Sequence, residues 1–275
     1  MRRHHGEGRA PHSARRRLGA RVHAHLTATV RFVPVITSLD NARVKDVVRL
    51  RSGRERRRRG LFVAEGPREV ERARAAGLRI VETYYAPALI DWGDGKAVSE
   101  RVLAKMTYRS EPEGVIALVE TPQRELPRGG SLYLVVVGVE KPGNLGAMAR
   151  SAQAAGADAL AVVNGRVDAW NPNAIRASTG AVFTLPVVET DLEEVRRLDV
   201  RLVVAVVGAP VVYTEADLTG PIAVVVGAES RGLGAAWLEA ADLQVSIPLA
   251  PGSVDSLNAA TAAALILFEA VRQRG

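Results

Sequence analysis

The chain has 275 residues, of which 47% are hydrophobic and 24% charged; this is enough apolar material for one large core or two smaller ones, two being expected, and too much for a mainly disordered protein. No uncharged apolar run reaches the ~18 residues of a membrane span, and the basic N-terminus lacks the apolar segment and cleavage site of a secretory signal, so the cytoplasm is the expected compartment. Cys is absent and all five His (His4, His5, His12, His23, His25) fall within the first 25 residues, which leaves the rest of the chain without disulfides, thiol nucleophiles, imidazole bases, Ser-His-Asp triads or the usual zinc ligands, and no metal is expected.

Charge is unevenly placed. Residues 1–60 carry 17 basic against 4 acidic residues, a net +13, whereas residues 61–275 carry 20 against 26, a net −6. Arg outnumbers Lys, only four of the 37 basic residues being Lys, and the planar Arg fork suits phosphate. A polyanion partner is therefore expected at the N-terminal end, with Arg-rich coding bias as the bland alternative.

Residues 1–30 show Arg, His, Gly and Ala without periodicity and read as a disordered basic arm, an expression remnant or an over-long start. From Ser38, a possible cap, Val44, Val47 and Val48 follow helical spacing, with Lys45, Arg49 and Arg51 on the remaining faces. This predicts an amphipathic basic helix. Next come five Arg in the six residues Arg54–Arg59, then Leu61-Phe62-Val63 as a strand, and Glu65-Gly66-Pro67 opening a helix with Val70 and Ala73 inside. Strands at 80–85 and 114–119 complete a small α/β unit over residues 31–120. Thr121–Gly130, with two Pro and two Gly among charged residues, reads as a linker.

In residues 131–275, strand-like apolar runs recur at 132–138, 159–163, 183–188, 202–207, 222–226 and 244–247. Helical stretches fall at about 145–156, 191–198, 234–241 and 256–272. Near-continuous Val, Leu and Ala content and the alternating order predict an α/β fold: a parallel sheet, buried on both faces, with helices on both sides. Ligands of such sheets bind at the carboxyl ends of strands.

Three loops at strand ends carry unusual residues. The first runs from Glu140 to Arg150 and contains Asn144, Gly146 and, within a helix, Arg150. It has neither dinucleotide-binding nor phosphate-loop spacing, and a capped helix with a surface Arg explains it equally well. The second is Gly227-Ala228-Glu229-Ser230-Arg231-Gly232-Leu233, where a Gly at a strand end admits a flat ligand and Glu229 can accept hydrogen bonds from it. The third runs from Ile247-Pro248 to Ser256-Leu257-Asn258. Ser256 is placed to cap the last helix and Asn258 to enter its first turn, and simple capping remains a sufficient account of the pair.

In this order and spacing the three loops resemble the motifs of the SpoU (TrmH) family of RNA ribose methyltransferases, in the SPOUT superfamily: Asn-x-Gly-x-x-x-Arg, Gly-x-Glu-x-x-Gly-Leu, and Ile-Pro followed by Ser-Leu-Asn. The stretch Leu267–Arg274 is similar to the family's C-terminal helix. Asn41, Val44, Lys45, the Arg run, Phe62 and Glu65-Gly66 resemble the ribosomal-protein-like RNA-binding domain of members acting on ribosomal RNA. One departure is visible, Pro251, which lengthens the third loop by a residue. The resemblance implies a deep trefoil knot in the C-terminal domain, S-adenosylmethionine held there by the backbone at Gly227, Ile247 and Leu257, and a homodimer joined through the knotted domains. It also implies that Asn144, Arg150, Glu229, Ser256 and Asn258 surround the methyl-transfer centre.

The implied reaction is attack of a ribose 2′-hydroxyl of RNA, large-subunit (23S) ribosomal RNA first among the choices, on a sulfonium methyl. RNA phosphates are expected to meet Lys45, Arg49, Arg54, Arg56, Arg57, Arg58 and Arg59. A guanidinium holds its proton too tightly to serve as a base, so Arg150 is expected to fix a phosphate and stabilise developing alkoxide charge. The alternatives are a transfer RNA methyltransferase, whose members commonly lack the extra N-terminal domain, and a non-catalytic RNA-binding scaffold.

Overall fold

The computed structural model describes residues 34–228, 232–252 and 254–275. The basic arm expected for residues 1–30 lies outside them. The N-terminal part contains α1 (Ala42–Arg49), α2 (Gly53–Arg59), β1 (Leu61–Glu65), α3 (Pro67–Ala75), β2 (Ile80–Tyr85), β3 (Lys96–Ala97), α4 (Glu100–Met106) and β4 (Val115–Glu120). Their strands form a sheet of order β1-β4-β2-β3, with β4 antiparallel to β1 and β2, and β3 parallel to β2. One face packs Val63, Tyr84, Ile116 and Leu118 against Val44, Val47 and Leu50 of the α1 side and Val102, Leu103 and Met106 of α4. The first helix begins later than expected. Asn41, not Ser38, caps it, accepting from the Arg43 N–H at 2.9 Å, because Ser38 Oγ is engaged by the Asp40 N–H in the preceding turn.

The C-terminal part contains β5 (Leu132–Val137), α5 (Pro142–Ala154), β6 (Ala159–Val163), α6 (Pro172–Ser178), a 3-10 turn (Ala181–Phe183), β7 (Val187–Thr190), α7 (Leu192–Arg196) and β8 (Arg201–Ala205). There follow β9 (Val211–Val212), β10 (Ile222–Gly227), α8 (Ala235–Glu239), β11 (Leu243–Ser246) and α9 (Ala259–Arg274). The sheet order is β7-β6-β5-β10-β8-β11-β9, and every pairing is parallel. Alternate residues of the strands feed two cores. Leu134, Val136, Val224 and Val226 face Leu145, Met148, Ile266 and Leu267 of α5 and α9; Tyr133, Val135, Ala223 and Val225 face Val195 of α7 and Trp237 of α8. Helices therefore cover both sides, as the apolar runs implied.

Two boundaries differ from expectation. The run at 183–188 is no single strand: Phe183 ends the 3-10 turn, Pro186 intervenes, and β7 starts at Val187. The last helix starts at Ala259, with Asn258 as its cap, so Ser256 remains in the loop. The crossing of α5 on α6 depends on Gly146, where a Cβ would collide with the Ala174 carbonyl oxygen.

The two sheets share one buried cluster, in which Phe62, Ala64, Val70 and Ala73 join Val136, Met148 and Phe183. Phe62 stacks on Trp170 with ring centroids 4.6 Å apart. Residues 121–130 form no helix or strand, yet Arg124 within them donates to the carbonyls of Val182, Phe183 and Leu185. Pro34–Gly275 accordingly forms one compact unit.

Candidate cofactor and RNA site

A cavity of about 320 Å³ opens at the carboxyl ends of β8, β10 and β11, where the chain reverses its direction of travel across the sheet. Val206, Leu233, Leu238, Ile247 and Leu249 give it apolar walls. All three residues expected to hold a cofactor, Gly227, Ile247 and Leu257, line it, and so does Ser256. Val206, Val207 and Ala262 line it too and carried no motif. Their only sequence signal is position, at the end of an apolar run and one turn into α9. An apolar slot of this size with few polar groups suits a flat heteroaromatic ring such as adenine.

The β10 loop folds over its own start. Gly232 donates its N–H to Ala228 O at 2.9 Å, and a Cβ on Gly227 would fall 2.6 Å from the Gly232 carbonyl carbon. The loop's closure by itself therefore requires Gly at 227. Glu229 lies outside the described residues.

Asn258 joins the first and third loops. Its Oδ1 accepts from the Ala260 N–H at 2.9 Å and the Thr261 N–H at 3.3 Å, which turns Nδ2 toward Asn144 Oδ1, 3.3 Å away. Residues 114 positions apart in sequence are thereby held at one mouth of the sheet. Arg150 lies in the third turn of α5, and its side chain is exposed. Among the described residues no cluster of acidic or His side chains is placed to hold a metal ion.

The basic face divides. Lys45, Arg49, Arg54, Arg57 and Arg58 are exposed. Lys45 pairs with Asp40 at 3.0 Å, Arg49 with Asp46 at 3.2 Å and Arg58 with Glu55 at 2.7 Å, exposed pairs worth at most about 1 kcal/mol each and open to competition from phosphate. Arg59 is half-buried and donates to Asp46 O. Arg56 corrects the expectation. It is 4% exposed, holds Asp168 at 2.7 Å through Nη2, and donates to Leu50 O and Arg51 O. Its guanidinium is consumed inside the protein, because α2 turns that position onto the C-terminal part.

A family model described as the SpoU rRNA Methylase family matches residues 131–268, and one described as the MRM3-like substrate binding domain matches residues 41–117. The chain belongs to the SpoU rRNA methylase family. Among its SpoU relatives, the Bacillus subtilis 23S rRNA (guanosine(2553)-2′-O)-methyltransferase is 32% identical over 245 residues, covering 85% of this chain and 97% of the relative. A solved RNA 2′-O ribose methyltransferase superposes with a TM-score of 0.78 at 43% identity, covering 88% of this chain and 99% of its own. The SpoU methyltransferase AviRb of Streptomyces viridochromogenes, solved with the cofactor AdoMet, gives 0.77 at 32% identity over 85% of this chain and 98% of its own.

Proposed function

We propose that this SpoU protein transfers a methyl group from S-adenosylmethionine to a ribose 2′-hydroxyl of RNA, with large-subunit ribosomal RNA as substrate. The observation that carries this reading is the apolar cavity lined by Gly227, Ile247, Leu257 and Ser256 in a fold shared with an AdoMet-bound relative. S-adenosylmethionine supplies a sulfonium methyl that needs no further activation. Val206, Leu238 and Leu249 would offer apolar contacts to the flat ring of the cofactor. Asn258, oriented by its cap bonds, holds Asn144 and so keeps the first loop beside the third. Glu229 is assigned to the same centre by its motif alone.

Arg150 acts as a charge. Its guanidinium fixes the neighbouring phosphate and stabilises the charge that develops on the 2′-oxygen as that oxygen takes the methyl and its proton passes to water, an effect worth about 3–4 kcal/mol. Residues 31–120 form the RNA-binding domain, residues 121–130 its connection, and Lys45, Arg49, Arg54, Arg57 and Arg58 its phosphate contacts. The insertion of β10 between β5 and β8, with α9 against α5, supports the deep trefoil knot. Leu265 and Phe268, exposed on α9, support a homodimer through this domain. The described residues contain no helix able to cross a membrane, and the cytoplasm is the compartment where the proposed substrate meets the enzyme.

Incubation of the protein with unmodified large-subunit ribosomal RNA and labelled S-adenosylmethionine, followed by mapping of 2′-O-methyl groups, tests the proposal. Methylation at a defined ribose is expected. Absence of incorporation with intact cofactor binding would contradict it.

A further inference from the structure

A second cavity, of about 470 Å³, lies beside the cofactor cavity and shares Ala228 and Gly232 with it. Its other walls are the loops after β5 (Gly138, Glu140) and β6 (Asn164, Gly165, Arg166). The backbone of this rim is pinned: Gly138 donates to Val163 O at 2.8 Å and Arg166 to Val139 O at 3.1 Å. Asn164 turns the chain through a left-handed conformation, φ 50°, which brings Arg166 to the rim opposite Glu140.

The side chains are less constrained than the backbone. Arg166 Nη1 stands 3.6 Å from Glu140 Oε1, too far for a hydrogen bond, and both side chains are about half exposed or more. Such a pair opens readily to a ligand. What it offers is a donor fork next to an acceptor pair. Guanine carries the complementary edge, with the O6 acceptor next to the N1–H and N2–H donors. A carboxylate can take both donors while a guanidinium meets O6. Uracil offers one donor flanked by two acceptors, one of which would face the second carboxylate oxygen, and cytosine offers a single donor at the opposite end. RNA bases are commonly read in this way once splayed out of the strand.

The geometry points to this groove as the pocket of the target base, with Glu140 and Arg166 selecting guanosine for methylation. The inference rests on the proposed methyl transfer and adds to it the identity of the acceptor nucleotide. The probe is unmodified large-subunit ribosomal RNA, followed by a fragment carrying the mapped site with either guanosine or inosine, which lacks the N2 amine. The mapped nucleotide is expected to be guanosine. The unaltered protein should prefer guanosine over inosine by roughly ten-fold in kcat/KM, in line with the value of one hydrogen bond in base discrimination. Glu140→Gln should lower kcat/KM on the guanosine fragment and bring the guanosine-to-inosine ratio close to one, with the calorimetric Kd for S-adenosylmethionine unchanged. Methylation of a nucleotide other than guanosine, or an unchanged ratio in Glu140→Gln, would overturn the base assignment alone. Failure to methylate any nucleotide would overturn the methyl-transfer reading together with it.

Discussion

The seven-stranded sheet and its junction with the four-stranded sheet are held by different materials. In the former, Leu134, Val136, Val224 and Val226 meet α5 and α9 through apolar contacts. The junction between the two adds charge to a shared apolar cluster: Arg56 on α2 reaches Asp168, 112 residues away, beside the Phe62–Trp170 stack. A buried pair adds little net stability over an apolar one, but it tolerates one geometry only, since a displaced charge is left unpaired. The apolar sheet supplies stability, and the charged junction fixes where the basic face stands relative to the cavity at the ends of β8, β10 and β11.

The junction is where the largest effect is expected. Asp168→Ala leaves Arg56 buried without its partner and should destabilise the protein by about 3–5 kcal/mol in denaturant titration. The double replacement Arg56→Met with Asp168→Leu should recover much of that stability. If the double variant then bound RNA normally but methylated it slowly, the positioning role of the pair would be separated from its contribution to stability.

Arg150→Ala comes next. It should lower the single-turnover methyl-transfer rate by about 10²–10³-fold while the cofactor Kd stays constant, because the interaction removed belongs to the transition state. Arg150→Lys keeps the charge without the planar fork and should retain a small part of the activity. Full activity in Arg150→Ala would leave activation of the hydroxyl to Glu229, Ser256 or the RNA itself.

A smaller effect sharpens the contrast between inward and outward arginines. Replacing Arg54, Arg57 and Arg58 together by Gln should leave the melting temperature nearly unchanged and reduce the salt slope of RNA binding by at most about 0.7–0.9 for each phosphate that is no longer neutralised. An unchanged slope would make these three a solvated face.

The parallel sheet was legible because its strands are apolar on both faces and leave little room for another reading. β9 spans two residues and α6 opens on Asn171-Pro172-Asn173, which reads as a turn; α6 is held by its packing against Gly146 on α5, an approach invisible in local sequence. Gly227, Ile247 and Leu257, singled out by their motifs, line one cavity, but no motif pointed to its remaining walls, which are ordinary apolar side chains at strand ends. Arg56 and Arg57 are neighbours with opposite fates, one 4% exposed and the other an exposed side chain 4.0 Å from the same Asp168 carboxylate. No periodicity in a run of arginines distinguishes them. Capping was ambiguous for a similar reason: Ser256 and Asn258 are both good caps, and the choice of Asn258 follows from the cavity loop that retains Ser256.

The central claim is that S-adenosylmethionine occupies the cavity at the ends of β8, β10 and β11, and cofactor titration of a cavity-filling variant tests it most directly. Ala262, on α9, lines that cavity, and Ala262→Trp places a large ring in it. Calorimetry should show S-adenosylmethionine binding to the unaltered protein and an affinity lower by at least about ten-fold, or 1.4 kcal/mol, in the variant, with the circular dichroism spectrum preserved. Equal affinity in a folded Ala262→Trp protein would place the cofactor elsewhere and contradict the account.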